Sequence, residues 1–364
     1  MGYPHLTIDL DVIAHNARTI VALCQAQGMA VAGVTKATCG DPEVARAMLR
    51  GGVSMIADSR LGNIHRLKAA GVDAPCMLLR LPALSSVDDV VASVDVSLNS
   101  EPAVLAGLSA AAQRQGRVHD VILMVDLGDL REGIWPDELL AVTRETLRLP
   151  GIRLRGLGTN LACFAGVVPS VDNMQRFIAL AEEVERQCGI ELAWLSAVNS
   201  SGLELMAAEG MPRRVNHARM GEAILLGCET IWRRPWPGTR QDAFVLYAEV
   251  LEVKRKPSLP VGERGQDAFG QLPQFEDRGD RLRALLNVGR EDVEVSGIAP
   301  LDPSLRVLGA SSGYLVVDVT QAANEIRVGD ALGFSLNYGA LLAAMTSAYV
   351  NKRYLHGERS PSQP

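Results

Sequence analysis

From about residue 29 to residue 228 the chain repeats one unit: a short apolar run, a polar break, then a segment whose apolar residues recur at helical spacing. A strand that returns through a helix pairs with a parallel neighbour, so the repetition commits this region to a parallel sheet covered by helices. The candidate strands are 29–36, 54–58, 76–81, 94–98, 120–126, 152–159, 192–198 and 214–219. Between them, Met174, Phe177, Ile178, Leu180, Ala181 and Val184 mark out a helix that stops at Gly189. Eight such units in this length predict a compact (β/α)8 TIM barrel, of class α/β. The rival is a doubly wound open sheet, but no G-x-G-x-x-G follows the first strand and no Walker A motif occurs.

After Trp232 the pattern changes. Pro235, Pro237 and Gly238 punctuate the chain, and strand-like runs follow at 243–253, 282–288, 305–308 and 314–319, with a Gly/Pro-rich loop at 257–280. The expected organisation is therefore a barrel over 1–231 and a mostly antiparallel β domain over 232–364, which the first strand, 3–10, can join. The polar tail from Asn351 to Pro364 is expected to fray.

Charge narrows the function classes. Lys and Arg number 36 against 42 acids, a formal charge of -6, which argues against a nucleic-acid partner. The apolar runs are too short to cross a bilayer, and Asp9 and Asp11 interrupt the amino terminus where a signal peptide would be apolar. A cytoplasmic protein is expected. The cysteines at 24, 39, 76, 163, 188 and 228 form no Cys-x-x-Cys pair, so neither a metal site nor a disulfide framework is expected, and most are read as thiols in apolar surroundings.

Barrel enzymes carry their functional groups at the carboxyl ends of the strands. The first strand ends Ala32-Gly33-Val34-Thr35-Lys36. A lysine there is either desolvated for Schiff-base chemistry or an ordinary surface lysine, and position alone leaves the two even. The fifth strand ends in the polar cluster Asp126-Leu127-Gly128-Asp129-Leu130-Arg131-Glu132-Gly133, the sixth in Thr159-Asn160, and the seventh in Asn199-Ser200-Ser201-Gly202. That last run is a phosphate seat or a helix N-cap, and the residues alone favour the cap. On the eighth strand His217 and Arg219 share a side by alternation. An inward arginine requires an anion, a ring nitrogen or a carboxylate, whereas His217 reads as a histidine satisfied by a neighbouring backbone group.

Taken together, Gly33-Val34-Thr35-Lys36, the run from Met124 to Gly133, and Gly221-Glu222-Ala223-Ile224-Leu225-Leu226-Gly227 resemble the fold-type III pyridoxal-phosphate (PLP) enzymes. Alanine racemase is the best-known member, and the sequence looks most like the ornithine racemase branch. The resemblance extends from Tyr3-Pro4-His5-Leu6-Thr7-Ile8-Asp9-Leu10 to the run Asn337-Tyr338-Gly339-Ala340 and beyond it to Ser347. It implies that Lys36 anchors PLP and acts as an acid/base, that Arg131 lies near the cofactor's phenolic oxygen and the substrate carboxylate, and that Asn160 packs where relatives have a histidine. Asn199, Ser200, Gly221, Glu222 and Tyr338 match phosphate-side positions, and Arg219 matches the arginine facing the ring nitrogen. An arginine there keeps its proton, so the ring is a weaker electron sink than one paired with aspartate.

The sequence also departs from the family. Where alanine racemase has Gly-Tyr-x-Asp-Gly, bearing its second base, the chain reads Gly289-Arg290-Glu291-Asp292-Val293. Arginine is a poor base at neutral pH. Met124 stands at the carbamylated-lysine position, and Ser311-Ser312-Gly313-Tyr314-Leu315 stands where the ornithine branch has Ser-Ser-Asp-His-Leu. Tyr314 is accordingly the candidate second base, against the alternative of an aromatic ring packed in a strand.

The resemblance implies a homodimeric PLP-dependent racemase of an α-amino acid, with ornithine or a related basic amino acid as substrate and two-base proton exchange at Cα. The rivals are a PLP decarboxylase or aldolase on the same scaffold, and a non-catalytic PLP carrier. No carboxylate in the sequence identifies itself as the partner of a substrate side-chain ammonium.

Overall fold

The computed structural model describes residues 2–356 and divides into two compact units, Leu10–Gln241 on one side and Met1–Asp9 with Asp242–Pro364 on the other. Strand β1 (His5–Asp9) belongs to the second unit. The first unit is a closed parallel barrel of β2 (Ala30–Val34), β3 (Met55–Asp58), β4 (Cys76–Leu78), β5 (Val96–Asn99), β6 (His119–Val125), β7 (Ile152–Thr159), β8 (Trp194–Val198) and β9 (His217–Met220). It closes through β2 and β9, with Ala32 opposite Arg219 and Gly33 opposite Met220. The expected barrel is thus present, each strand falling within a residue or a few of its predicted bounds.

Local sequence explains the boundaries. The helix Val171–Cys188 begins with a reciprocal capping box between Ser170 and Asn173 and ends at Gly189, whose φ of 65° is the left-handed geometry glycine accommodates. It buries Met174, Phe177, Ala181 and Val184, one stripe at helical spacing. Inside the barrel, alternate residues Ala32, Val34, Met55, Ala57, Met77, Val96, Leu98, Ile122 and Met124 form one apolar cluster. Gly158 makes room for it, because a Cβ there would stand 2.7 Å from Met124 Sδ. Met124 is thus a core residue.

The segment 232–241 belongs with the barrel rather than with the β domain. Glu229 accepts backbone N–H bonds from Ile231, Trp232 and Arg234, and Asn16 both accepts from Arg240 N and donates to Arg240 O, each at 2.8 Å. Those bonds move the division from the expected 231 to Gln241. A Pro-rich stretch can mark the end of a barrel as readily as the start of a domain.

The second unit contains β10 (Phe244–Pro257), β11 (Asp280–Leu286), β12 (Ile298–Pro300), β13 (Arg306–Ala310), β14 (Leu315–Asp318), β15 (Ala331–Leu336) and β16 (Asn351–Leu355). Its order is β12-β15-β10-β11-β14-β13, all antiparallel, and β1 pairs antiparallel with β10 and parallel with β16. Asn351–Leu355 is therefore an ordered strand and not part of a fraying tail, because β1 supplies its backbone partners; residues 357–364 lie outside the described residues. Strands β12 and β15 were not expected from the sequence. Among the described residues no helix is long and apolar enough to cross a membrane.

Candidate active site

The apolar interior of the barrel gives way to a polar layer at β8 and β9. Arg219 is 5% exposed, and its Nη1 donates to Ser196 O at 2.7 Å and also to Ser196 Oγ, while Nη2 donates to Thr159 O at 2.7 Å. Ser196 Oγ is in turn 2.7 Å from His217 Nδ1. The hydroxyl accepts from the guanidinium and forms a second hydrogen bond with the imidazole, whose direction is set by the ring tautomer. Burial, reinforced by the charge on Arg219, lowers the His217 pKa to about 3. The ring stacks on Trp194 with centroids 5.0 Å apart. His217 is thus satisfied, though by a side chain rather than by the backbone group expected. Burial lowers the Arg219 pKa to about 10, which leaves it charged at neutral pH.

Lys36 begins a single helical turn, Lys36–Thr38, directly beyond β2. The residue before it is locked: Thr35 N donates to Ala57 O at 3.0 Å and Thr35 Oγ1 donates to Asp58 Oδ2 at 2.8 Å. Asp58 Oδ1 accepts from Asn63 Nδ2 and Arg60 N, at 2.8 and 3.0 Å. The carboxyl is fully buried, and burial raises its pKa despite these bonds. Gly40 completes the turn, since a Cβ at its φ of +62° would stand 2.6 Å from Asn63 Cβ. Lys36 Nζ has no hydrogen-bond partner among the described residues, although its charge acts on Glu222. Sequence reasoning missed Asp58 and Asn63; an acid closing the apolar run Met55-Ile56-Ala57 was the available signal.

The loops after β6, β7 and β8 are tied to one another. Asp129 accepts backbone N–H bonds from Cys163, Phe164 and Val167, and Asp126 Oδ1 accepts from Gly128 N and Leu130 N. Arg131 pairs with Glu132, and the charges of both reach Arg219. Asn199 Nδ2 donates to Asn160 Oδ1 at 3.1 Å and to Leu161 O at 3.0 Å, while its Oδ1 accepts from Ser201 N at 2.7 Å. The N-cap reading of Asn199 therefore holds. Ser200 Oγ accepts from Ala223 N at 3.1 Å, which ties the β8 end to the Gly221-Glu222 turn. Glu222 pairs with Arg233, and burial raises its carboxyl pKa against that charge. Two buried atoms remain without partners here, Thr159 Oγ1 and Asn160 Nδ2.

In the second unit the two divergent runs lie side by side. Arg290 N donates to Ser311 O at 3.0 Å and Glu291 N to Ser312 O at 3.1 Å. Gly289 is required there, since a Cβ would stand 2.0 Å from Ser312 O. The Arg290 guanidinium lies 4.2 Å from the Phe269 ring centroid. Tyr314 is 52% exposed in the turn before β14, so it is not the packed strand aromatic of the alternative reading. Tyr338 opens the helix Tyr338–Thr346, which Asn337 caps. The cysteines are free, but only Cys24 and Cys76 are buried and Cys163 is exposed, so apolar surroundings hold for a minority. Among the described residues no cluster could hold a metal ion.

Residues 8–228 match the family model described as "Alanine racemase, N-terminal domain". The chain belongs to the alanine racemase family. It is 40% identical over 354 residues to the ornithine racemase of Acetoanaerobium sticklandii, covering 97% of this chain and 100% of that protein. The lysine racemase of Thermotoga maritima is 37% identical over 354 residues, covering 97% and 99%. Alanine racemase from Bartonella henselae, solved with covalently bound pyridoxal phosphate, superposes with a TM-score of 0.76 at 18% identity, over 98% of this chain and 100% of that one. At that identity the likeness concerns the fold. Within the alanine racemase family, the barrel-borne candidates Lys36, Arg131, Asn160, Asn199, Ser200, Arg219, Gly221 and Glu222 thus fall at or just beyond strand ends, whereas Tyr314 and Tyr338 belong to the second unit.

Proposed function

We propose that the protein is a PLP-dependent racemase of a basic α-amino acid, with ornithine and lysine the first substrates to test. Full-length similarity to racemases of those two amino acids supports the substrate class. The observation that carries the chemistry is Lys36, held at the end of β2 by the buried Thr35–Asp58 bond. The cofactor's fit rests on Asn160 Nδ2, a buried donor that lacks a partner, and on Arg219, a buried charge fixed on two carbonyls.

When bound, PLP acidifies the Cα–H of an amino acid attached to it. Lys36 is its covalent anchor and moves the proton at Cα on one face through Nζ. Arg219 would face the ring nitrogen, donating without giving up its proton. Ser200, Gly221 and Glu222, through hydroxyl and backbone N–H, would hold the phosphate together with Asn199 and Tyr338, and Arg131 the substrate carboxylate. Tyr314 of the partner subunit would exchange the proton on the opposite face, which makes the enzyme a homodimer, here read as cytoplasmic.

An amino-acid panel followed by chiral chromatography tests the function. Interconversion of both enantiomers of ornithine or lysine without product release is expected; decarboxylated or cleaved product, or no turnover of any amino acid, would overturn it. Borohydride reduction and peptide mapping should place the pyridoxyl group on Lys36. A label on Lys68 instead would remove Lys36 from its role.

A further inference from the structure

Beside the Lys36 turn stands a carboxylate to which the proposed chemistry gives no part. Asp58 is the last residue of β3 and is fully buried. We propose that Asp58 is the positioning residue for Lys36, holding the turn that carries the lysine from both of its ends. The inference rests on the reading of Lys36 as the cofactor's anchor. The two carboxylate oxygens divide the task. Oδ2 accepts from Thr35 Oγ1, in the residue before Lys36, and Oδ1 accepts from Asn63 Nδ2, both at 2.8 Å. Asn63 in turn walls the far end of the turn, since a Cβ at Gly40 would stand 2.6 Å from Asn63 Cβ and 2.9 Å from Asn63 O. Thr35 O closes the turn on itself, accepting from Thr38 N at 2.9 Å, Thr38 Oγ1 at 3.0 Å and Gly40 N at 3.2 Å.

The barrel alone does not require this pair. Thr35 N already donates to Ala57 O at 3.0 Å, so the backbone joins the end of β2 to β3 without any side chain. Burying a carboxylate is costly, and here Asn63 Nδ2 with the backbone N–H groups of Arg60 and Ser59 offsets that cost. These groups donate, which suits an ionised carboxylate, and an anion takes a stronger bond from the Thr35 hydroxyl than a neutral acceptor would. Lys36 needs such a hold more than its neighbours do. Its four-carbon stem is flexible, so the backbone at its base decides where Nζ can reach. A misplacement of about 1 Å at a reacting group costs about a hundredfold in rate.

Two substitutions at Thr35 test the assignment in the PLP-loaded enzyme while Asp58 keeps its other donors. Thr35→Val preserves the branched shape and removes the hydroxyl; Thr35→Ser preserves the hydroxyl. Thr35→Val should lower kcat about tenfold or more, change KM far less, and shed PLP faster on dialysis, followed by the cofactor's visible absorption. Thr35→Ser should return both readouts to near the parent. Asp58→Asn should match Thr35→Val, and the double variant should lose no more than the worse single one, because both act through one bond. If Asp58→Asn does not fold, the Thr35 variants decide alone. Thr143→Val is the control for lost stability: it removes a buried hydroxyl bonded to Leu139 O at 2.8 Å in the helix Leu139–Thr146, and should leave kcat and PLP retention unchanged. A smaller fall in Thr35→Val, whatever its stability in urea, would overturn the assignment. So would equal losses in Thr35→Ser or Thr143→Val. A borohydride label away from Lys36 in the parent enzyme marks the different failure, that of Lys36 as the anchor.

Discussion

The barrel mouth and the paired turns 289–293 and 311–315 hold their residues in opposite ways. At the mouth and in the strand layer beneath it, Arg219, Ser196 and His217 are buried and joined by side-chain hydrogen bonds, as are Thr35 and Asp58. In the turns, backbone bonds fix the chain path, while Arg290, Glu291 and Tyr314 extend into solvent. A buried network tolerates little change, because each member lost leaves another unsatisfied. An exposed side chain on a fixed backbone can be exchanged at little cost to folding. Departures from the family motifs occur in both regions, at Arg290 and Gly313-Tyr314 in the turns and at Met124 and Asn160 in the barrel.

The largest effect that could break this comparison comes from Lys36→Ala. If the mouth supplies the essential chemistry, racemase activity falls by at least about a thousandfold for both enantiomers, since a nucleophile and a proton carrier are lost together. Steady-state assays by chiral chromatography check this, and residual activity within tenfold of the parent would place the chemistry elsewhere.

Tyr314→Phe sharpens the contrast from the other side. Racemisation should fall by about a hundredfold or more, the usual scale for a general acid or base. Exchange of Cα–H with solvent deuterium should persist for one enantiomer, because only one face loses its base. Unimpaired racemisation in both directions would clear Tyr314 and turn attention to Cys163 or to a bound water.

Acid separates the two regions next. His217 has a folded pKa of about 3 and an unfolded one near 6.5, so between those values the unfolded chain binds the extra proton. The stability that follows from burying it neutral is complete above about pH 6.5 and is lost as pH falls toward 3, on the order of 5 kcal/mol. His119, lowered to about 4 by burial and bonded to Ser97 Oγ at 2.8 Å, adds to the same slope. Urea unfolding of His217→Asn across this range should show a flatter decline than the parent; an unchanged slope would mean that the ring is not buried neutral.

Much of this organisation could be read in the sequence, for a physical reason. A parallel strand buried on both faces is a continuous apolar run, so Val121 to Val125 and its counterparts reveal themselves, and the residues just beyond them are the mouth. What stayed hidden depends on partners remote in sequence. Asn351–Leu355 carries no apolar alternation and becomes a strand only beside His5–Asp9. Ala331–Leu336 contains Gly333 and buries one residue fully, Phe334, so its pattern is weak. Thr35 and Asp58 are 23 residues apart, and Ser196 lies inside a strand where nothing distinguishes a hydroxyl that bridges two side chains from one that faces nothing.

Ser196 therefore provides the smallest and most direct test of the comparison. Its hydroxyl is fully buried between Arg219 and His217. In Ser196→Ala, Arg219 Nη1 retains the carbonyl of residue 196, but His217 Nδ1 loses its hydrogen-bond partner beside the Trp194 ring that stacks on it. An unsatisfied buried donor or acceptor costs about 1–3 kcal/mol. Ser335→Ala is the matched control, because Ser335 Oγ makes one exposed bond, to Ala299 O at 3.2 Å, in the second unit. Its loss should stay within about 0.5 kcal/mol. Urea denaturation of the two variants measures the difference. Equal costs would mean that water replaces the missing hydroxyl, and that the mouth is no more tightly determined than the surface of the β unit.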